Sequence, residues 1–390
     1  MTMDFTKTDE QELMLENLRE FCDRWVTEER IQDWYDKRRV DDEVCKAYLE
    51  AGFGYMFIPE EYGGIPSDAQ TLAMVVEELM RTTGATMPFM SYGLSMYDLA
   101  TFGTPEQVAK GMEAYNETGQ QCFSLALSEP GAGSDNQSMT ATVHWDDENG
   151  TCVLNGAKTM VSHAETAPYI MFIGKDEDPS HDNKSYSMFL VPKDTPGITM
   201  APLHKIGQTS TNFDEVYFDN VVVPQSDLLG EKGKGFKQLM HNFEIERIML
   251  SAHSLGLAQA ALEEAARYAA QRVTFGQKLF KHQLIAEKLT DMEIKCQNMR
   301  NMLYKTAWEF DNGIPVRLDS ALCKRYLSTT ATEVASDAMQ IIGGLGYTTE
   351  SKIGRIWIDA RGDSFAGGTE EIMVHIAGRE IVKKYASDLL

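Results

Sequence analysis

Residues 140–162 read Thr140-Ala141-Thr142-Val143-His144-Trp145, then Asp146-Asp147-Glu148-Asn149-Gly150, then Thr151-Cys152-Val153-Leu154-Asn155-Gly156-Ala157-Lys158-Thr159-Met160-Val161-Ser162. β-Branched and aromatic residues recur in the two outer runs, as strands favour. The acidic bridge between them ends in Asn-Gly, a dipeptide that accepts the backbone of a hairpin turn. Similar short blocks stand on either side: CFSLAL (122–127), YIMFIG (169–174), SYSMFLV (185–191) and EVYFDNVVV (215–223). Strands at this spacing predict a small antiparallel barrel or sandwich.

Both flanks change to helical period. Met14, Leu18, Phe21 and Trp25 make one apolar stripe, and Leu72, Val75, Val76 and Leu79 another. Pro59, Gly63, Gly64 and Pro66 interrupt them, and Pro66-Ser67-Asp68 opens the next helix with capping chemistry. After Gly235, Phe236, Leu239, Met240 and Phe243 begin a helix; Gln283 to about Phe310 form a second. A third runs from Arg317 to Ile342 and stops at Gly343-Gly344. The expected fold class is α+β: an N-terminal helical domain (1–119), a middle β domain (120–231) and a C-terminal four-helix bundle (232–390).

A chain of 390 residues has room for more than one core. Its formal net charge of −23 argues against nucleic acid and anionic membranes, both of which attract clustered Lys and Arg. The six cysteines are scattered without a CxxC pair, so no metal is expected and a reducing, cytoplasmic setting fits. The N-terminal stretch is acidic and amphipathic rather than a basic or apolar leader, and no run reaches bilayer-spanning length.

Four glycine-bearing motifs stand out. Leu127-Ser128-Glu129-Pro130-Gly131-Ala132-Gly133-Ser134-Asp135 ends a strand in a turn whose amides a ligand can approach, since glycine lacks a Cβ. Alone, it is equally an ordinary Pro-Gly turn. Arg272-Val273-Thr274-Phe275-Gly276, followed by Gln283, joins two helices; Arg272 is either a fork for a pyrophosphate or a solvated charge. Gln340-Ile341-Ile342-Gly343-Gly344-Leu345-Gly346 reads as a helix end. Ala366-Gly367-Gly368-Thr369-Glu370-Glu371-Ile372 reads as a helix start, with Thr369 as N-cap and two carboxylates at the positive end of the dipole. No complete GxGxxG and no P-loop occurs, which disfavours a Rossmann site or an NTPase.

In this order, EPGAGSD, RVTFG followed by HQ, QIIGGLG and GGTEEI resemble the acyl-CoA dehydrogenase family, from about Asp9 to Tyr385. The resemblance implies FAD, an acyl-CoA or enoyl-CoA substrate, an electron-transfer flavoprotein as redox partner, and a dimer-based homotetramer. By position, Leu127, Ser128, Gly133 and Ser134 would lie along the flavin and its phosphates, with Ser134 also touching substrate. Met160 and Ser162 would flank the isoalloxazine; many relatives have an aromatic residue where this chain has Met160. Arg272, Thr274, Phe275, Gln340 and Gly344 would meet the ADP portion of a neighbouring subunit's FAD. Gln283, Thr369 and Glu371 would be further cofactor contacts.

One departure is chemical. Medium- and short-chain members carry their catalytic Glu directly before the Gly-Thr of the last motif, where this chain has Gly367. Isovaleryl- and long-chain relatives instead use a Glu before an Arg on the first helix of the C-terminal domain. Here that position is Glu246, followed by Arg247, with Phe243, Met249 and Leu250 as helical neighbours. Apolar surroundings would raise a carboxylate toward the range useful to a general base; a merely ion-paired surface Glu is the bland alternative. Gly367 keeps the backbone N–H that, in the family, binds the thioester carbonyl. Glu244 and Arg247 fall where relatives contact CoA or fix the helix.

The expected activity is α,β-dehydrogenation of an acyl-CoA by α-proton abstraction and β-hydride transfer. Likeness to bacterial crotonobetainyl-CoA reductase, over the QRVTFG segment and the following helix, keeps the reverse reaction on an enoyl-CoA open. An oxidase and a non-catalytic flavin- or CoA-binding protein are further alternatives.

Overall fold

The computed structural model describes residues 6–177 and 185–389; the first five residues of the stretch read for a leader lie outside it. Six helices come first: α1 (Asp9–Trp25), α2 (Glu28–Lys37), α3 (Asp42–Glu50), α4 (Ala69–Thr83), α5 (Phe89–Phe102) and α6 (Pro105–Thr118). Their starts follow local chemistry. Thr8 and Gln11 form a reciprocal capping box, as do Thr104 and Gln107. Asp68 Oδ1 accepts the Thr71 N–H at 2.7 Å, so the loop before α4 ends where its sequence suggests.

Eight strands follow: β1 (Phe123–Ala126), β2 (Thr142–Asp146), β3 (Thr151–Ser162), β4 (Tyr169–Asp176), β5 (Tyr186–Pro192), β6 (Ile198–Leu203), β7 (Phe213–Pro224) and β8 (Leu228–Leu229). They form one sheet in the order β6-β7-β3-β2-β4-β5-β8, with β1 on β4. The Asn-Gly hairpin joins β2 to β3, pairing Asp146 with Thr151. The sheet is mixed rather than purely antiparallel, because β4 pairs in parallel with both β1 and β2. Those pairings need crossover segments, which hairpin signals cannot report. Ile170, Phe172, Phe189, Val216 and Phe218 are among the side chains of the sheet's own core.

Of the remaining helices, all but the last pack against the first set in one continuous core, and the last packs on Arg317–Ile342 in a small cluster of its own around Ala321, Met373 and Ala377. They are α7 (Gly235–Gln271), α8 (Gln283–Asp311), α9 (Arg317–Ile342), α10 (Ile353–Gly362) and α11 (Glu370–Ala386), with a small hairpin of β9 (Val273–Thr274) and β10 (Gln277–Lys278) between α7 and α8. The 37 residues of α7 extend about 55 Å and form the spine. Gly256 lets α7 approach α4: a Cβ there would fall 2.4 Å from the Glu77 carbonyl oxygen.

A buried polar network locks the three parts together. His253 on α7 places Nδ1 2.8 Å from Asp363 Oδ2 and Nε2 3.1 Å from Thr86 Oγ1. Ser254 Oγ and Gln208 Nε2 donate to the same Asp363 carboxylate at 2.6 and 3.0 Å. Residues from before α5, after β6 and on α7 thus converge just ahead of the 364–369 turn. Such a network is favourable only when its members are satisfied together.

Candidate active site

Two glycine turns present the expected site residues. In the first, Glu129 and Ala132 pair across the turn that follows β1. The buried Glu129 carboxylate accepts from Lys158 Nζ at 2.9 Å and from the amides of Thr140 and Ala141 at 2.6 and 2.9 Å. Burial opposes its charge, yet Lys158 and these amides bring its pKa below the ordinary carboxylate value. Lys158 Nζ also donates to the Leu127 carbonyl at 3.2 Å. The turn is thereby pinned from beneath, while the amides of Gly131, Gly133 and Ser134 make no hydrogen bond among the described residues. Beside it, the Thr159 N–H donates to the Ser128 carbonyl at 2.9 Å. The β3–β7 register shifts between Lys158 and Val161; Met160 there has a left-handed φ of 57° and is 63% exposed. Met160, Gly131, Gly133 and Ser134 are exposed and Ser128 and Ser162 half-buried, whereas Leu127 is buried.

The second turn covers Glu246. A Cβ built on Gly367 would lie 2.3 Å from Leu250 Cδ1 and 3.6 Å from Glu246 Oε1. Gly367 and Gly368 have φ of +60° and +92°, a left-handed pair that glycine adopts without strain. The carboxylate of Glu246 thus occupies the space beside the side-chain-less residue of the last motif. The Gly367 N–H donates to nothing among the described residues. Glu246 is half-buried and has no ion-pair contact among them, which removes the reading of a salt-bridged surface residue. Burial raises its pKa above the usual value, against the pull of the Arg247 and Lys324 cations.

Its surroundings are more polar than its helical neighbours imply. Asp98 on α5 lies at the preceding turn of α7, accepting from Asn242 Nδ2 at 2.6 Å. Burial, reinforced by the Glu246 charge and opposed by Asn242, pushes Asp98 up to about 7. Lys324 on α9 is 1% exposed and donates to the Gly368 carbonyl at 2.6 Å. Sequence reasoning passed over Asp98, Asn242 and Lys324. For Lys324 a signal existed, since it interrupts the buried face formed by Ala321, Leu327, Ser328 and Ala331.

Arg247 is buried, its Nε has no partner among the described residues, and its guanidinium lies 5.9 Å from the Phe243 ring centroid. Glu244 is half-buried. Thr369 Oγ1 accepts the Ile372 N–H at 3.3 Å, the N-cap expected for α11. Glu370 is bound to Arg325 and Ser328, each at 3.2 Å, whereas Glu371 is exposed. Arg272, Phe275, Gln283, Gln340 and Gly344 are also exposed, Phe275 almost fully at 98%, and Thr274 is half-buried. Among the described residues no cluster of three or more His, Cys, Asp or Glu could hold a metal ion, and no helix is long and apolar enough to cross a membrane.

Helical flanks around a β domain, a carboxylate on the spine helix and a glycine turn folded over it define an oxidoreductase architecture known from acyl-CoA metabolism. Residues 8–115, 124–221 and 233–382 match the N-terminal, middle and C-terminal domains of acyl-CoA dehydrogenase, respectively. The chain is 42% identical over 383 residues to the probable acyl-CoA dehydrogenase YdiO of Escherichia coli K12, covering 98% of this chain and 99% of that protein. Among solved structures, an acyl-CoA dehydrogenase from Slackia heliotrinireducens is 36% identical with a TM-score of 0.88, over 99% of this chain and 100% of the other. Butyryl-CoA dehydrogenase from Megasphaera elsdenii is 31% identical with a TM-score of 0.87, over 97% and 100%. This chain belongs to the acyl-CoA dehydrogenase family and is an oxidoreductase.

Proposed function

We propose that the protein is an FAD-dependent acyl-CoA dehydrogenase in which Glu246 takes the α-proton of the thioester. The observation that carries this reading is the Glu246 carboxylate, 3.6 Å from where a Gly367 side chain would begin. The base is supplied by the spine helix because the last motif has no side chain at Gly367, where Leu250 and the Glu246 carboxylate stand instead. A thioester α-proton is weakly acidic, so the charge developing on the carbonyl needs a fixed donor. The unengaged Gly367 N–H is suited to that role, and its geometry is set by the turn rather than by a side chain. Burial keeps Glu246 above the usual carboxylate range, closer to the pKa at which a base works near neutrality.

Family members are flavoproteins, and the residues present fit such a group. Gly131, Gly133 and Ser134 would turn free amides toward phosphates, Leu127 and Ser128 would line the ring, and Met160 and Ser162 would flank it. Bound FAD would supply the acceptor for the β-hydrogen. Thr369 and Glu371 would close the site from α11. Arg247, a buried guanidinium with an unsatisfied Nε, would hold an anionic part of CoA, and Glu244 and Ser134 would be separate, polar substrate contacts. Arg272, Phe275, Gln340 and Gly344, all exposed, and the half-buried Thr274 are read as contacts to the FAD of a second copy in a homotetramer, and the exposed Gln283 as a further cofactor contact. An electron-transfer flavoprotein is the proposed redox partner, in the cytoplasm.

Glu246→Gln tests the assignment. The variant should keep FAD absorbance and acyl-CoA binding while turnover falls about 10²- to 10⁴-fold, the usual contribution of a general base. Normal turnover would remove Glu246 from the chemistry. The raised pKa also leaves a proton available for delivery to the α carbon of an enoyl-CoA, so the reductive direction shares this site. Anaerobic assays of straight-chain acyl-CoAs and 2-enoyl-CoAs in both directions decide which one the protein performs.

A further inference from the structure

Lys324 is a buried cation without a carboxylate in contact among the described residues. Its side chain comes from the middle of α9 and is 1% exposed, and among the described residues its one side-chain hydrogen bond is to the Gly368 carbonyl at 2.6 Å. The acidic groups around it are committed elsewhere. Asp363 accepts from His253, Ser254 and Gln208. Glu370 is held by Arg325 and Ser328. Leaving an ammonium in the interior without a paired anion is costly, so a structural clamp alone would be served better by a neutral donor. The carboxylate left unpaired is Glu246, which borders Gly367, the residue next to the carbonyl that Lys324 holds.

We propose that Lys324 is a positioning residue for the reaction: it clamps the Gly367–Gly368 turn through the Gly368 carbonyl and serves as the internal counter-cation of Glu246. This rests on the assignment of Glu246 as base. Both halves act on the same event. The clamp sets the direction of the Gly367 N–H, and the ammonium stabilises the carboxylate form needed to accept a proton. From α7 the pair is faced by Arg247, which also favours a charged Glu246; from α5 by Asp98, which the Glu246 charge helps to keep protonated; from the α10–α11 segment Asp363 and Glu370 favour the Lys324 charge. Burial brings Lys324 itself down to about 8, so its support for Glu246 fades as the pH rises through that value.

The test compares Lys324→Met, Lys324→Gln and Lys324→Arg in the FAD-loaded enzyme. The probe is the straight-chain acyl-CoA, C4 to C16, that the wild type oxidises fastest. The proposal expects Lys324→Met and Lys324→Gln to lower kcat by up to about a hundredfold, as displaced catalytic groups do, with KM changed much less. It also expects the acid limb of the kcat/KM profile to move to higher pH, since the carboxylate has lost its cation. Lys324→Arg should return the limb toward the wild-type position. A second readout needs no turnover: below about pH 7, where Lys324 itself does not titrate, the pH dependence of the thermal midpoint should shift in Lys324→Met but not in a Lys324→Met/Glu246→Gln double variant beyond Glu246→Gln alone. An acid limb that stays in place in both neutral variants, with kcat reduced equally at every pH, overturns the counter-cation role. Failure of both to fold makes the lysine a structural clamp and overturns it too. If Glu246→Gln is fully active, the assignment of the base fails first; if that variant is dead while the limb is unmoved, only the inference about Lys324 falls.

Discussion

The two glycine turns are built alike and charged differently. Each is pinned from below by a buried lysine that donates to a carbonyl of the turn segment, Lys158 to Leu127 and Lys324 to Gly368. Lys158 also has a carboxylate in contact, Glu129 at 2.9 Å, which further accepts from the amides of Thr140 and Ala141 and from the Thr140 hydroxyl. Its charge is neutralised where it stands, and the turn offers a ligand only free N–H groups. Lys324 has no carboxylate in contact among the described residues, and its field reaches Glu246 as well as Asp363 and Glu370. The same device serves in one place as scaffold and in the other as part of an electrostatic site. The difference lies in whether the buried cation is paired.

That contrast can be attacked from either turn. The largest effect on stability should come from Lys158→Met, which leaves Glu129 buried without its cation. Breaking one partner of a buried pair costs about 3–5 kcal/mol, measurable by urea unfolding; a loss no greater than that of an exposed pair would show that the first turn is not pinned this way. Gly367→Ala comes next. Its Cβ would meet Leu250 Cδ1 at 2.3 Å from a left-handed backbone, so a loss of about 1–3 kcal/mol is expected, as for overpacked cores. Adding Leu250→Val should recover part of it.

A smaller change, opposite in sign, is expected from Glu246→Gln. Because burial raises this carboxylate's pKa, the native state binds the proton more tightly than the unfolded chain. Its contribution to stability therefore declines as the pH rises from the unfolded pKa through the raised folded one. The inactive variant should melt higher than wild type at pH 8, with the gap closing in acid; a lower melting point at pH 8 would contradict the burial argument. Smallest is Asp98→Asn. Asp98, held up to about 7 by burial and the Glu246 charge, is protonated through the acid range, and Asn imitates that form; the acid limb of kcat/KM should stay near its wild-type position, with any difference confined to above about 7. A limb that moves markedly would mean that Asp98 is already charged when Glu246 titrates.

Much of this was legible in the sequence because it depends on local chemistry. The Asn-Gly hairpin, the Asp68 and Thr369 caps and the end of α9 at Ile342 are where short-range rules place them. The empty side chain at Gly367 and the carboxylate at Glu246 were each visible, although nothing local connects positions more than a hundred residues apart. What sequence reasoning missed shares one physical cause. The parallel pairing of β4 with β1 and β2 depends on crossovers. Asp98, Asn242 and Lys324 acquire meaning only from neighbours on other helices.

By itself, then, the chain determines its helix starts and stops, its strand blocks, the positions able to bear left-handed backbone and the family motifs, since each follows from residues a few positions apart. Only the folded arrangement decided that the Glu246 carboxylate and the Gly367 amide share one space, and that a lone ammonium is buried beside them. Burial and electric field are sums over groups distant in sequence, and those sums exist only once the helices have packed.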